Sequence, residues 1–158
     1  PIEGLEVGVS YGVDGVGGAG GSQDRNTLGV DASYSFGAIG LRGEWIKVSE
    51  DPTGQPVTSK TEAKGFYVEA QYDYNSKISF GARYSDVSTE QGALTSRRNK
   101  FSTIAVTGAY RLADNVIVKA EYDLNNESEL GGGNVTFNGT RINEIDNDVF
   151  ALSLVGSF

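Results

Sequence analysis

Glu127 and Glu129, and Asp146 and Asp148, are carboxylate pairs spaced closely enough to divide general-acid and general-base work between them, as glycoside hydrolysis requires. The chain contains no histidine and no cysteine, so nothing in it resembles a nucleophile or a water activated by an imidazole base. Both acidic pairs fall in polar stretches between apolar segments, where a solvated acidic loop is the simpler reading. The chain is therefore expected not to be an enzyme. Oxygen ligands are dense in residues 123–129 and 143–148, enough for loop-bound Ca²⁺ although not at EF-hand spacing, and no other cofactor is expected. Residues 15–21 are rich in glycine but lack the lysine and helix of a phosphate cradle, so they read as a flexible loop. Asn138-Gly139-Thr140 is a glycosylation sequon by pattern only.

A larger set of charges recurs at every second position of the apolar segments: Glu6, Asp31, Arg42, Glu44, Glu69, Asp73, Lys77, Arg83, Arg111, Lys119, Glu121 and Asp123, five cations and seven anions. If they shared one wall of a wide, water-filled barrel they would be solvated and would set a local field felt by passing ions, with the acidic excess favouring cations. Among them Arg42, Glu44, Glu69, Arg83, Lys119 and Glu121 are the candidate pore-lining residues. The net charge of −8, with no basic face, argues against a nucleic-acid partner.

Spacing of two demands strands, and eight segments carry it: about 4–13, 26–36, 39–48, 65–74, 77–85, 103–112, 116–124 and 149–158. In the clearest, Phe66, Val68, Ala70, Tyr72 and Tyr74 alternate with Tyr67, Glu69, Gln71 and Asp73. The third blurs at Ile46. Connections alternate between long (about 14–25, 49–64, 86–99 and 125–148) and short (37–38, 75–76 and 113–115), the asymmetry of a membrane barrel with tight periplasmic turns and long outer loops. Both ends of the chain then lie on the periplasmic side. Aromatic residues gather at the segment ends: Tyr34, Phe36, Tyr72, Tyr74, Phe80, Tyr110 and Phe158 near one rim, and Tyr11, Trp45, Phe66, Tyr84, Tyr122 and Phe150 near the other. Amphipathic rings at two levels with aliphatic residues between them suit a lipid-facing band. No run of about 18 apolar residues exists for a helical span, and no signal peptide precedes Pro1, so the sequence reads as mature, processed or excised. All 158 residues are treated as one all-β unit.

The closing stretch, residues 148–158 (DVFALSLVGSF), resembles the C-terminal assembly signal of outer-membrane proteins, although Gly156 is small where a bulkier residue is usual. Residues 4–12 (GLEVGVSYG), 65–83 (GFYVEAQYDYNSKISFGAR) and 104–122 (IAVTGAYRLADNVIVKAEY) resemble general diffusion porins of Gram-negative bacteria. The resemblance implies an antiparallel transmembrane β-barrel in the bacterial outer membrane. Porins of this kind have about sixteen strands, so the eight found here would be the C-terminal half. The constriction loop of the family would then lie in the missing part.

Implied partners are outer-membrane lipid, the barrel assembly machinery acting on the C-terminal strand, and further copies in a trimer, with the small residues Gly43, Ala70, Ala82, Gly108 and Ala120 allowing close packing. The implied function is a porin wall for passive diffusion of small hydrophilic solutes and ions. The alternative is a closed, non-conducting eight-stranded barrel with a structural or adhesive role through its outer loops. In that barrel the inner charges would form a buried, mutually paired network. A further reading pairs two such chains in one larger barrel.

Overall fold

The computed structural model describes residues 2–18, 21–52, 61–91, 97–130, 135–137, 140–142 and 148–156. The strands are β1 (Leu5–Gly18), β2 (Gly21–Phe36), β3 (Ile39–Pro52), β4 (Thr61–Asp73), β5 (Ile78–Gln91), β6 (Arg97–Ala113), β7 (Val116–Leu130), β8 (Val135–Phe137), β9 (Thr140–Ile142) and β10 (Val149–Gly156). There is no helix among the described residues. Strands β1 to β7 and β10 form one antiparallel sheet in sequence order, and β8 pairs with β9 in a separate hairpin. All eight predicted segments are found in that sheet.

Short turns join the strands at one end. Gly37 adopts a positive φ of 56° between β2 and β3, a conformation that costs glycine little. Between β4 and β5 the Asn75 side chain accepts hydrogen bonds from the backbone N–H groups of Lys77 (2.8 Å) and Ile78 (2.9 Å), which closes the turn locally. At the entry to β1, Gly4 has a φ of 79° and its carbonyl accepts from the N–H of Ser35 at 2.9 Å.

At the opposite end the strands outrun the apolar segments. The expected long connection over 14–25 is mostly ladder, with Asp14 opposite Arg25 and Gly18 opposite Gly21. Likewise β3 continues to Pro52, β4 begins at Thr61, and β6 begins at Arg97. Glu127 and Glu129, expected in a loop, lie in β7 opposite Phe101 and Asn99. Beyond the apolar band the two faces no longer differ: residues 22–25 and 49–51 are polar throughout, and Val87 and Phe101 fall on the face opposite the band, so alternation carries no signal. The backbone nevertheless keeps pairing, because a neighbour in register satisfies its N–H and C=O groups. The β8–β9 hairpin also fell within an expected loop; its signal was the Asn138-Gly139 dipeptide between two β-rich triplets. Phe158, Asp146 and most of 143–148 lie outside the described residues.

The sheet is open. Among the described residues β1 pairs with β2 alone and β10 with β7 alone. The closed eight-stranded barrel, which needs β1 against β10, is not what this chain forms. Two edges therefore present unpaired backbone groups, which an isolated sheet cannot leave bare in a membrane.

Candidate functional site: the concave wall

Alternation along the strands gives the sheet two chemically distinct faces, and curvature makes them unequal. On one face a trough of about 760 Å³ is lined by Arg42, Glu69, Asp73, Arg83, Lys119 and Glu121, among others. This face is concave, so its side chains converge. On the other, apolar side chains splay outward: Val9 is 72% exposed, Val68 54% and Leu152 69%. Ala105, on the concave face, is the one buried apolar residue among those described. A water-soluble fold has the reverse arrangement, with apolar groups converging. An apolar surface extending across all eight strands is too large for an isolated solvated patch and must meet an apolar medium.

The charges of the trough hold one another in place. Arg42, Glu69 and Arg83 share one row of the ladder across β3, β4 and β5. The Glu69 carboxylate bridges them, 3.3 Å from the Arg42 guanidinium and 4.0 Å from that of Arg83. Arg42 also lies over the Tyr67 ring, 5.9 Å from its centroid. On the next row Thr107 donates a hydrogen bond of 2.9 Å to Glu121. Lys119 lines the trough from β7, directly opposite Ala109 of β6. These groups are partly exposed, so each pair is weak alone and the row acts as a fixed pattern of alternating charge.

Five of the six candidate pore-lining residues, Arg42, Glu69, Arg83, Lys119 and Glu121, thus come together around one trough. Glu44 shares their face but lies beyond it, opposite Asp31 and Tyr67. Of the wider set, Asp73, Lys77 and Arg111 also line the trough. Sequence reading missed the Arg25–Glu50 ion pair on the same face (Arg25 Nε to Glu50 Oε1, 2.7 Å), since both residues lie in strand extensions where alternation is silent. The candidate Ca²⁺ ligands of 123–129 lie along β7, which places Asp123 and Asn125 on one face and Asn126 on the other.

A curved antiparallel sheet with a charged concave face and an exposed apolar convex face defines a segment of a transmembrane β-barrel wall. The chain belongs to the Gram-negative porin family, whose profile matches residues 2–130. It is a bacterial outer-membrane protein. Among solved structures it is similar to OmpT, an outer membrane protein of Vibrio cholerae, in its in-vitro folded form, with 18% identity and a TM-score of 0.71 over 99% of this chain and 52% of that one. Outer-membrane expressed OmpT of Vibrio cholerae matches with the same identity and TM-score, over 99% of this chain and 53% of that one. A trimer form of in-vitro folded OmpT from Vibrio cholerae matches at a TM-score of 0.64 and 18% identity, over 99% of this chain and 52% of that one. The chain spans about half the length of these structures. No curated protein matches it.

Proposed function

We propose that the chain forms half the wall of a pore for passive diffusion of small hydrophilic solutes and ions, without enzymatic activity of its own. The observation that carries this reading is the concave trough: its charges are partly exposed and converge on a space open to water, while apolar residues face the other way. A barrel of about sixteen strands would leave such a space as an aqueous channel. The two open edges are where the remaining strands would join. In the pore Arg42, Glu44, Glu69, Arg83, Lys119 and Glu121 line the wall as three cations and three anions, the trough itself is richer in cations, and the acidic excess that would favour cations is that of the whole face, seven anions against five cations.

Homo-oligomerisation belongs to the same reading. The convex face has a depression over Ala32, Gly43, Ala70 and Ala82, walled by Leu5, Tyr34, Leu41, Val68, Tyr84 and Ile104. Small residues there would let a second barrel approach closely, as in a trimer. The exposed strand β10 is the segment that the barrel assembly machinery would engage. The open edges also support a second reading, in which two copies of this chain complete one barrel.

Planar-bilayer recording tests the proposal. The full-length protein carrying this chain should give discrete conductance steps with higher permeability for potassium than for chloride. A folded preparation that inserts without conducting would remove the pore reading. A pore assembled from the 158-residue chain by itself would select the two-copy version.

A further inference from the structure

Beyond the trough the concave face turns apolar. Ile46 of β3 is directly opposite Gly65 of β4, Gly65 is opposite Val87 of β5, and Val87 is opposite Phe101 of β6. The ladder has no register shift across these strands, so this row shares the face of Arg42, Glu69 and Arg83, two strand repeats further out. Ile46 is 39% exposed, Val87 47% and Phe101 37%. One row beyond, Val48 and Ala63 are opposite each other and half-buried.

The shelf has a notch at its centre. Gly65 is buried, and a Cβ in its place would lie 3.4 Å from Val87 Cγ2 and 3.8 Å from Ile46 Cγ2, so the two aliphatic side chains stand on either side of the space above the glycine. Apolar residues on the convex face meet hydrocarbon, whereas these face water, and a contiguous apolar group exposed to water marks a binding surface.

Charge at the border of the shelf is mostly of one sign. From β2 to β7 the described ladder positions around it on this face hold Asp31, Glu44, Glu50, Glu127 and Glu129 against Arg25 and Arg97. Arg25 is engaged by Glu50, with Nε 2.7 Å from the carboxylate. Arg42 and Arg83 stand one row nearer the trough than Glu44 and share the Glu69 carboxylate. Glu44 is two residues from Ile46 on the same strand face, about 7 Å along it. It lies directly opposite Asp31, a like-charge pair that repels and that a cation between the two would relieve. The remaining positions of that row, Tyr67, Ser85 and Thr103, are uncharged, and the Thr103 hydroxyl donates to Asn125 at 2.8 Å.

We infer that the shelf of Ile46, Gly65, Val87 and Phe101 is a binding subsite for an amphiphilic organic cation, whose apolar body lies on the shelf and whose ammonium group lies toward Glu44 and Asp31. The inference rests on the concave face being in water, as the proposed function has it, and not on conduction. An amphiphilic anion would meet the acids at the border, and a small hydrophilic cation would leave the shelf wet. Only a cation with an apolar body uses both features.

The experiment uses the full-length protein in lipid vesicles and 4-phenylbutylammonium bearing a photoreactive diazirine on its ring, with the cross-linked residues mapped by peptide mass spectrometry. Labels should fall on Ile46, Val87 and Phe101. Unlabelled 4-phenylbutylammonium should compete for these positions at least about tenfold better than tetramethylammonium, which has no apolar body, and also better than 4-phenylbutanoate. Val87→Ser/Phe101→Ser should reduce labelling of the shelf about tenfold, and Asp31→Asn/Glu44→Gln should remove the advantage of the cation over the carboxylate. If the serine variant fails to fold, the competition series on the unmodified protein decides alone. Equal competition by the carboxylate, labelling unchanged in the serine variant, or labelling confined to convex residues such as Val68 would overturn the inference. So would labelling of the shelf that needs deletion of residues 131–147, which would mean that the chain itself covers it. Conductance measured in parallel separates the two readings: an unlabelled shelf in a conducting protein removes this inference alone, and a labelled shelf without conductance removes the pore alone.

Discussion

Val68 and Glu69 are adjacent in β4, yet the apolar side chain is the more exposed of the two. The same inversion runs along the strand, with Phe66, Val68 and Ala70 exposed while Tyr67 and Glu69 are half-buried. In water this would be a poorly stable surface. In a bilayer it is an ordinary one, because the medium against the convex face is hydrocarbon and the concave face retains its water. Exposure by itself therefore says nothing about polarity of surroundings. Curvature supplies that information, since the converging face is the one that carries charge.

Exchanging chemistry between the two faces is the strongest way to break this comparison. Val68→Arg puts a cation in the middle of the apolar band and should destabilise the barrel by about 2–4 kcal/mol in lipid vesicles, as charges at the bilayer midplane do. Gln71→Arg, three residues along but on the concave face, should change stability by less than about 0.5 kcal/mol. Urea titrations of both variants in vesicles would check this. Equal costs would mean that the convex face is not in lipid.

Packing sharpens the comparison at smaller scale. Gly29 is buried on the concave face, and a Cβ added there would come within 2.5 Å of Ser10 Oγ. Gly108, on the convex face, has nothing within 4 Å of that position. Gly29→Val should cost about 1–3 kcal/mol through overpacking. Gly108→Val should be close to neutral, since its side chain enters lipid and its β propensity improves. The same titrations would show whether the concave face is the crowded one.

A third change leaves stability nearly alone and probes the field of the wall. Glu69→Gln removes the carboxylate that bridges Arg42 and Arg83 and leaves two adjacent guanidinium groups on the trough. Stability should shift by less than about 1 kcal/mol, the usual range for exposed pairs. Reversal potentials in a salt gradient should move toward anions, and Lys119→Glu should move them the other way. A selectivity that ignores both substitutions would separate this trough from the conducting path.

Much of this wall is legible in the sequence because one of its faces is apolar. Alternation alone locates all eight sheet strands and puts Arg42, Glu69, Arg83, Lys119 and Glu121 on one face. It failed where that contrast ends. Arg25, Glu50, Glu62 and Lys64 lie in strand extensions past the end of the apolar band, so periodicity could not distinguish ladder from loop. The openness of the sheet was also hidden, because edge strands β1 and β10 have the same alternating pattern as central ones. What closes a barrel is shear and strand number, a property of the assembled sheet and not of any one segment.

The smallest expected effect concerns the outer ends of the strands, where the distinction between faces gives way to charge on both. Glu62 lies past the apolar band, and hydrogen bonds from Lys64 and then Lys47 lower its pKa from 4.5 to about 2. A carboxylate whose folded pKa lies below its unfolded value contributes stability above the unfolded pKa and loses it as pH falls through the folded one. The stability difference between the wild-type protein and Glu62→Gln should therefore be constant above about pH 5 and shrink between about pH 4.5 and pH 2. Because the three side chains are partly exposed, salt should reduce it as well, whereas the cost of Val68→Arg should be indifferent to salt. Denaturation of the two proteins across that pH range, at low and high ionic strength, would separate a surface ion cluster at the membrane edge from the hydrocarbon-facing band beneath it.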